Sequence, residues 1–103
     1  MINYKTESAR EFAFHYAEKL DDKLALEILN RGEVKDADEA THISKFFWSM
    51  VDASIKDVND GTDLPWDEST EFISEKVMYA ISGYLERAGY EHQWDAVSDE
   101  QDQ

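Results

Sequence analysis

Cysteine is absent from the chain. That excludes a disulfide framework, a thiolate zinc site and a cysteine nucleophile, and it fits a cytoplasmic setting. Glycine and proline are scarce, four and one among 103 residues. Both interrupt regular structure, so their scarcity leaves long stretches free to be helical. No apolar run approaches the length of a membrane span, and the opening MINYKTESAREF has no apolar core of the signal-peptide kind. Bases are few as well: ten Lys and Arg face twenty-four Asp and Glu, a net charge of −14. Such a chain repels nucleic acid and anionic membrane and is drawn to basic surfaces.

What is present is enough for a core. Hydrophobic residues make up 42% and aromatics 13%, which suits one folded domain over residues 1–103 and not a disordered chain. Apolar residues recur at helical spacing. Ser8 to Glu11 has capping-box spacing, followed by Ala9, Phe12, Ala13, Tyr16 and Leu20. Asp21 or Asp22 can cap a second stretch, Leu24 to Leu29, that Gly32 would stop. Asp36 or Asp38 would open a third helix with the stripe Ala40, Ile43, Phe47, Met50, Val51, Ile55 and Val58. Gly61 and Pro65 break it. Asp67 or Ser69 would start a fourth, with Ile73, Val77, Ala80, Ile81, Tyr84, Leu85 and Ala88 inward and Gly89 at its end. Residues 91–97 suit a last short helix, and 98–103 read as a frayed polar tail. No segment alternates at period two. The expected fold is all-α, a small bundle of three to five helices.

Catalytic and metal chemistry find little to work with. Asp57 to Glu68, DVNDGTDLPWDE, resembles a calcium loop in its first, third and twelfth residues, but places Gly61 and Thr62 where a ligand and the turn glycine belong. It reads as an acidic turn. Glu39 and His42 have the Glu-x-x-His spacing of di-metal bundles, yet no second such pair exists, so His42 reads as a core-edge residue held by Asp38. His15 after Glu11 and His92 before Asp95 suit surface contacts. No nucleophile elbow or phosphate loop is present. The expectation is a non-enzyme without metal or cofactor.

The aromatics exceed what one narrow stripe requires. Phe46, Phe47 and Trp48 are consecutive, so on a helix they point in directions about 100° apart. Phe46, Trp48 and the loop residue Trp66 are therefore candidates for a dimer or partner surface, against the plainer reading of a wide core face.

The carboxylates are segregated along the chain. Asp57, Asp60, Asp63, Asp67, Glu68, Glu71 and Glu75 follow one another with no Lys or Arg between them, and Glu91, Asp95, Asp99, Glu100 and Asp102 do the same near the end. Four-residue spacing stacks Asp67, Glu71 and Glu75 on one helix face about 6 Å apart, as it does Glu91, Asp95 and Asp99. Like charges so placed destabilise a helix by a few tenths of a kcal/mol each, so folding does not explain them, apart from acids favoured near a helix start. Duplex DNA carries one charge per about 1.7 Å, hence about 20 over the ~30–35 Å span of such a domain. The candidate partner-binding set is therefore Asp57, Asp60, Asp63, Asp67, Glu68, Glu71, Glu75, Glu91 and Asp95. The alternative is that the charge only keeps a small protein soluble.

Short, acidic, helical, cysteine-free chains with segregated carboxylates resemble the phage acidic DNA-mimic inhibitors, the Ocr-like antirestriction proteins. Ala53-Ser54-Ile55, Val58 and Gly61-Thr62-Asp63-Leu64, then an acidic loop and a long helix, are similar in order to the middle of that family. The strongly acidic C-terminal extension of that family is not matched, which leaves the target open. The resemblance implies a helical homodimer, acting in the cytoplasm, that blocks a basic DNA-binding protein: a restriction, CRISPR or other DNA-processing enzyme. It implies no direct contact with nucleic acid or membrane. A helical interaction module or regulatory subunit binding through the aromatic surface is the competing expectation.

Overall fold

The computed structural model describes the backbone of residues 4–62 and 70–101 and the side chains of 9–62 and 70–99. Five helices account for nearly all of it: α1 (Tyr4–Lys19), α2 (Lys23–Arg31), α3 (Ala37–Asn59), α4 (Thr70–Ala88) and α5 (Glu91–Gln101). The described residues contain no strand. The fold is an all-α bundle, as the periodicity predicts. α1 lies chiefly against α4, and α3 against both α4 and α5, with the short α2 bridging α1 and α3.

Local chemistry sets most of the joints. Asp21, at φ 54°, is the one non-glycine residue with positive φ among those described, a conformation that Asp tolerates better than most residues. It ends α1 so that the Asp22 N–H reaches the Ala17 carbonyl at 2.9 Å. Asp22 then caps α2, its Oδ1 accepting from the Ala25 N–H at 3.0 Å. Gly32, at φ 77°, closes α2 with its N–H on the Ile28 carbonyl. Asp36 caps α3 through the Glu39 N–H at 2.9 Å. Gly89, at φ 81°, ends α4 with only Tyr90 between it and α5.

The capping box is a different matter. α1 begins at Tyr4 and runs straight through Ser8, so that spacing opens no helix here. At the other end α5 continues past Val97 to Gln101, well into the segment expected to fray.

The core runs the length of the bundle. Phe12 and Tyr16 of α1, Ile28 of α2, Ile43 and Met50 of α3, and Ile73, Ile81 and Leu85 of α4 are fully buried. The inner face of α3 is rotated from the expected stripe. It takes in Phe46, Ser54 and Asp57, whereas Ile55 and Val58 are about half exposed. Phe47 lies in a second layer, its ring 5.1 Å from Trp48 and 5.0 Å from Trp94 of α5. Those aromatics fasten α5 to α3.

Candidate functional site

Asp57 does not belong to an exposed acidic surface. It is buried, and both of its oxygens accept from the Lys19 ammonium, at 2.6 and 2.7 Å. The fully buried Tyr16 hydroxyl donates to Oδ2 at 2.9 Å. Residues 38 and 41 positions apart thus tie the end of α1 to the end of α3. A run of acids without a base along the chain is not a run without a base in space, and Asp57 is the correction.

The histidine and glutamate of the Glu-x-x-His spacing also part company. Glu39 accepts both guanidinium nitrogens of Arg31, at 2.9 and 3.1 Å, and the Lys35 N–H at 2.9 Å. His42 Nε2 lies 2.7 Å from Asp22 Oδ1, not on Asp38. Asp22 therefore caps α2 and meets α3 at once. No group of three or more His, Asp and Glu among the described residues is arranged to hold a metal ion.

These pairings carry a pH dependence with a definite sign. Hydrogen bonds from Lys19 and then Tyr16 hold the Asp57 carboxyl below its usual value of 3.8. The Arg31 hydrogen bonds hold Glu39 below 4.5. The stability supplied by each is complete above the usual value and is lost as pH falls through the lowered folded one. Burial, then the bond to Asp57, pushes the Tyr16 phenol well above the usual 10.0. Its contribution is complete below pH 10 and disappears as pH rises beyond it. Melting temperature is therefore expected to fall below about pH 4 and again above about pH 10. Tyr16→Phe should make the alkaline limb shallower, with the raised Tyr84 phenol keeping part of it, and should change the acid limb less, because Lys19 still holds Asp57. Thermal melts across pH check this, and an unaltered alkaline limb would contradict the assignment.

The remaining predicted acids divide. Asp60, exposed at the end of α3, has a loose contact with Lys56 at 3.9 Å. Asp63, Trp66, Asp67 and Glu68 lie outside the described residues. Glu71 and Glu75 stand exposed on α4, as do Glu91 and Asp95 on α5.

The aromatic surface is corrected too. Phe46 is 2% exposed and belongs to the core. Trp48 is half-buried, 6.1 Å from Trp94. Among the described residues the exposed aromatics are others, Phe72 at 51% and Tyr79 at 65%, both on α4. Helical geometry puts Glu71, Phe72, Glu75, Tyr79 and Glu86 on one face of that helix.

Charge is divided unevenly along the sequence. Residues 1–62 hold thirteen acids and eight Lys or Arg, whereas residues 63–103 hold eleven and two. Lys19–Asp57, Arg31–Glu39 and Lys56–Asp60 pair oppositely charged side chains of α1, α2, α3 and their caps, and His42 contacts Asp22 in the same part of the molecule. Glu71, Glu75, Glu86, Glu91, Asp95 and Asp99 are all exposed, and none has an ion pair with a described residue. At the α4–α5 corner Glu86, Glu91 and Asp95 line a single open notch with Trp94.

Sequence reasoning missed Glu86, because Arg87 follows it. On α4 the two are about 100° apart, and Arg87 borders a different cleft, with α1 and α2. Periodicity alone could have separated them. Comparison with family models, with curated proteins and with solved structures returned no match.

Proposed function

We propose that this protein is a cytoplasmic inhibitor that imitates DNA, occupying the basic groove of a nucleic-acid enzyme of the restriction or anti-phage defence kind without catalysing a reaction. The observation that carries this reading is that Glu71, Glu75, Glu86, Glu91, Asp95 and Asp99 all stand exposed on α4 and α5 without an ion pair to a described residue, in a segment, 63–103, that holds eleven acids against two bases. Charge that served solubility alone would not need so uneven a balance of acids and bases between the two parts of the chain. Four-residue spacing on these helices is about 6 Å, near two base-pair steps of DNA at 3.4 Å each. Carboxylates so placed meet Lys and Arg that ordinarily hold phosphates. Phe72 and Tyr79, exposed among the acids of α4, supply apolar anchors of the kind that concentrate binding energy. No helix among the described residues is long and apolar enough to cross a membrane.

The test begins with tagged protein in bacterial lysate, eluted by salt and separately by duplex DNA. A DNA-processing enzyme displaced by both is the expected partner. Against that partner, Glu71→Lys/Glu75→Lys should weaken binding about 10- to 100-fold and leave helicity unchanged. Unchanged affinity in that double variant would remove α4 from the interface. A partner indifferent to salt and DNA would favour an interaction module, with Phe72 and Tyr79 as the residues to replace first.

A further inference from the structure

The chain has three arginines, Arg10, Arg31 and Arg87, and all three border one cleft of about 480 Å³ between α1, the end of α2 and α4. That volume is within the ~300–1,000 Å³ of small-molecule sites. Arg31 is committed to Glu39. Arg10 and Arg87 are not: in a chain of twenty-four acids, neither has an ion pair with a described carboxylate. Their polar contacts are long, Arg10 to the Asn30 side-chain oxygen at 3.5 Å and Arg87 to the Gly32 carbonyl at 3.4 Å.

Both guanidiniums are held by aromatic rings instead. Arg10 stands 4.9 Å from the centre of Phe14, and Arg87 5.6 Å from that of Tyr84. Stacking of this kind fixes a guanidinium plane while leaving N–H groups at its edge for an acceptor. Both positive charges also act on the Tyr84 phenol, against the burial that raises it, so the two arginines converge on one side chain. Leu29, Val77 and Ile81 give the cleft an apolar floor, and the exposed Tyr79 stands at its rim.

Two guanidiniums bordering an apolar cleft suit an organic anion, and phosphate uses them best, because several N–H donors can meet three oxygens. At about 0.1 M salt the negative field of the whole molecule is screened beyond about 10 Å, whereas contacts inside the cleft are not. We propose that the α1–α2–α4 cleft binds a small planar organic phosphate, with Arg10 and Arg87 on the phosphate and Tyr79 and the apolar floor on the ring.

The experiment is a nitrogen–proton NMR titration of the full chain with AMP, and separately with adenosine and with inorganic phosphate. AMP is expected to give saturable shifts at Gly32, Gly83 and the Arg10 and Arg87 side chains. Adenosine and phosphate should each bind about tenfold more weakly than AMP, because each offers half of the match. Arg10→Ala/Arg87→Ala should weaken AMP about tenfold or more, with Lys45→Ala as the unaffected control. Should that variant fail to fold, Arg10→Lys/Arg87→Lys keeps the charge, loses the forks and should still weaken AMP. Absence of saturable shifts at millimolar AMP, shifts centred elsewhere, or equal binding by the arginine variants would overturn the proposal.

Discussion

A Tyr16→Ala protein is expected to lose a large part of its stability, while Tyr16→Phe loses little. Tyr16 is completely buried and reaches from α1 to α3. Its ring packs on Phe12 with centroids 5.1 Å apart. Truncating a fully buried aromatic residue costs about 3–5 kcal/mol, and domains of this size have only about 5–15 kcal/mol in all. Melting should fall by roughly 15–30 °C. Tyr16→Phe keeps the ring and removes one hydrogen bond, for about 1 kcal/mol, because Lys19 still holds both oxygens of Asp57. Calorimetry on the pair separates packing from hydrogen bonding. Equal losses in the two variants would show that the hydroxyl, and not the ring, holds α1 in place.

The second large effect is expected at Trp94. Its indole and the buried Val97 are what α5 sends into the bundle, beside Tyr90 of the preceding link. Trp94→Ala should cost about 2–3 kcal/mol, below the figure for a full core residue because part of the indole is exposed. The loss should also be local. The fully buried side chains all belong to α1 to α4, and α5 is joined to them through Gly89 and Tyr90, so α5 is expected to open by itself. Hydrogen exchange is expected to show residues 91–101 unprotected and residues 40–57 still protected. Equal loss in both segments would mean that α5 belongs to one cooperative unit. Detachment would also carry Glu91, Asp95 and Asp99 away from Glu71 and Glu75, so partner binding should weaken even though no acid has been replaced.

Elements fixed by nearest neighbours were readable from the sequence. Asp22, Gly32, Asp36 and Gly89 act within a turn of their own positions, and each stands where its capping chemistry predicts. Ser8 shows the limit of such local signals: a capping-box spacing has no effect when the helix already begins a turn earlier. The candidate site was less legible because its composition depends on distant pairings. Asp57 looked like its acidic neighbours until Lys19 and Tyr16 came across from α1. Phe46 looked like a surface residue because the inner face of α3 is set by what packs on it, and both α4 and α5 do. The arginine cleft could not be seen at all, since its three members are spread from residue 10 to residue 87 and meet only when α1, α2 and α4 close on one another.

The uneven division of charge along the chain has a consequence for how the molecule moves. Residues 1–62 hold thirteen acids against eight Lys or Arg and residues 63–103 eleven against two, so the charge is uneven and the protein is an electric dipole as well as a polyanion. In the field of a basic surface a polyanion is only pulled, but a dipole is also turned. Torque would rotate the α4–α5 side forward during approach, before any atom touches, and reduce the fraction of encounters that arrive with the wrong side first. The same torque would act on a positively charged resin or sensor chip, so adsorbed molecules would all present α1 and α2 outward.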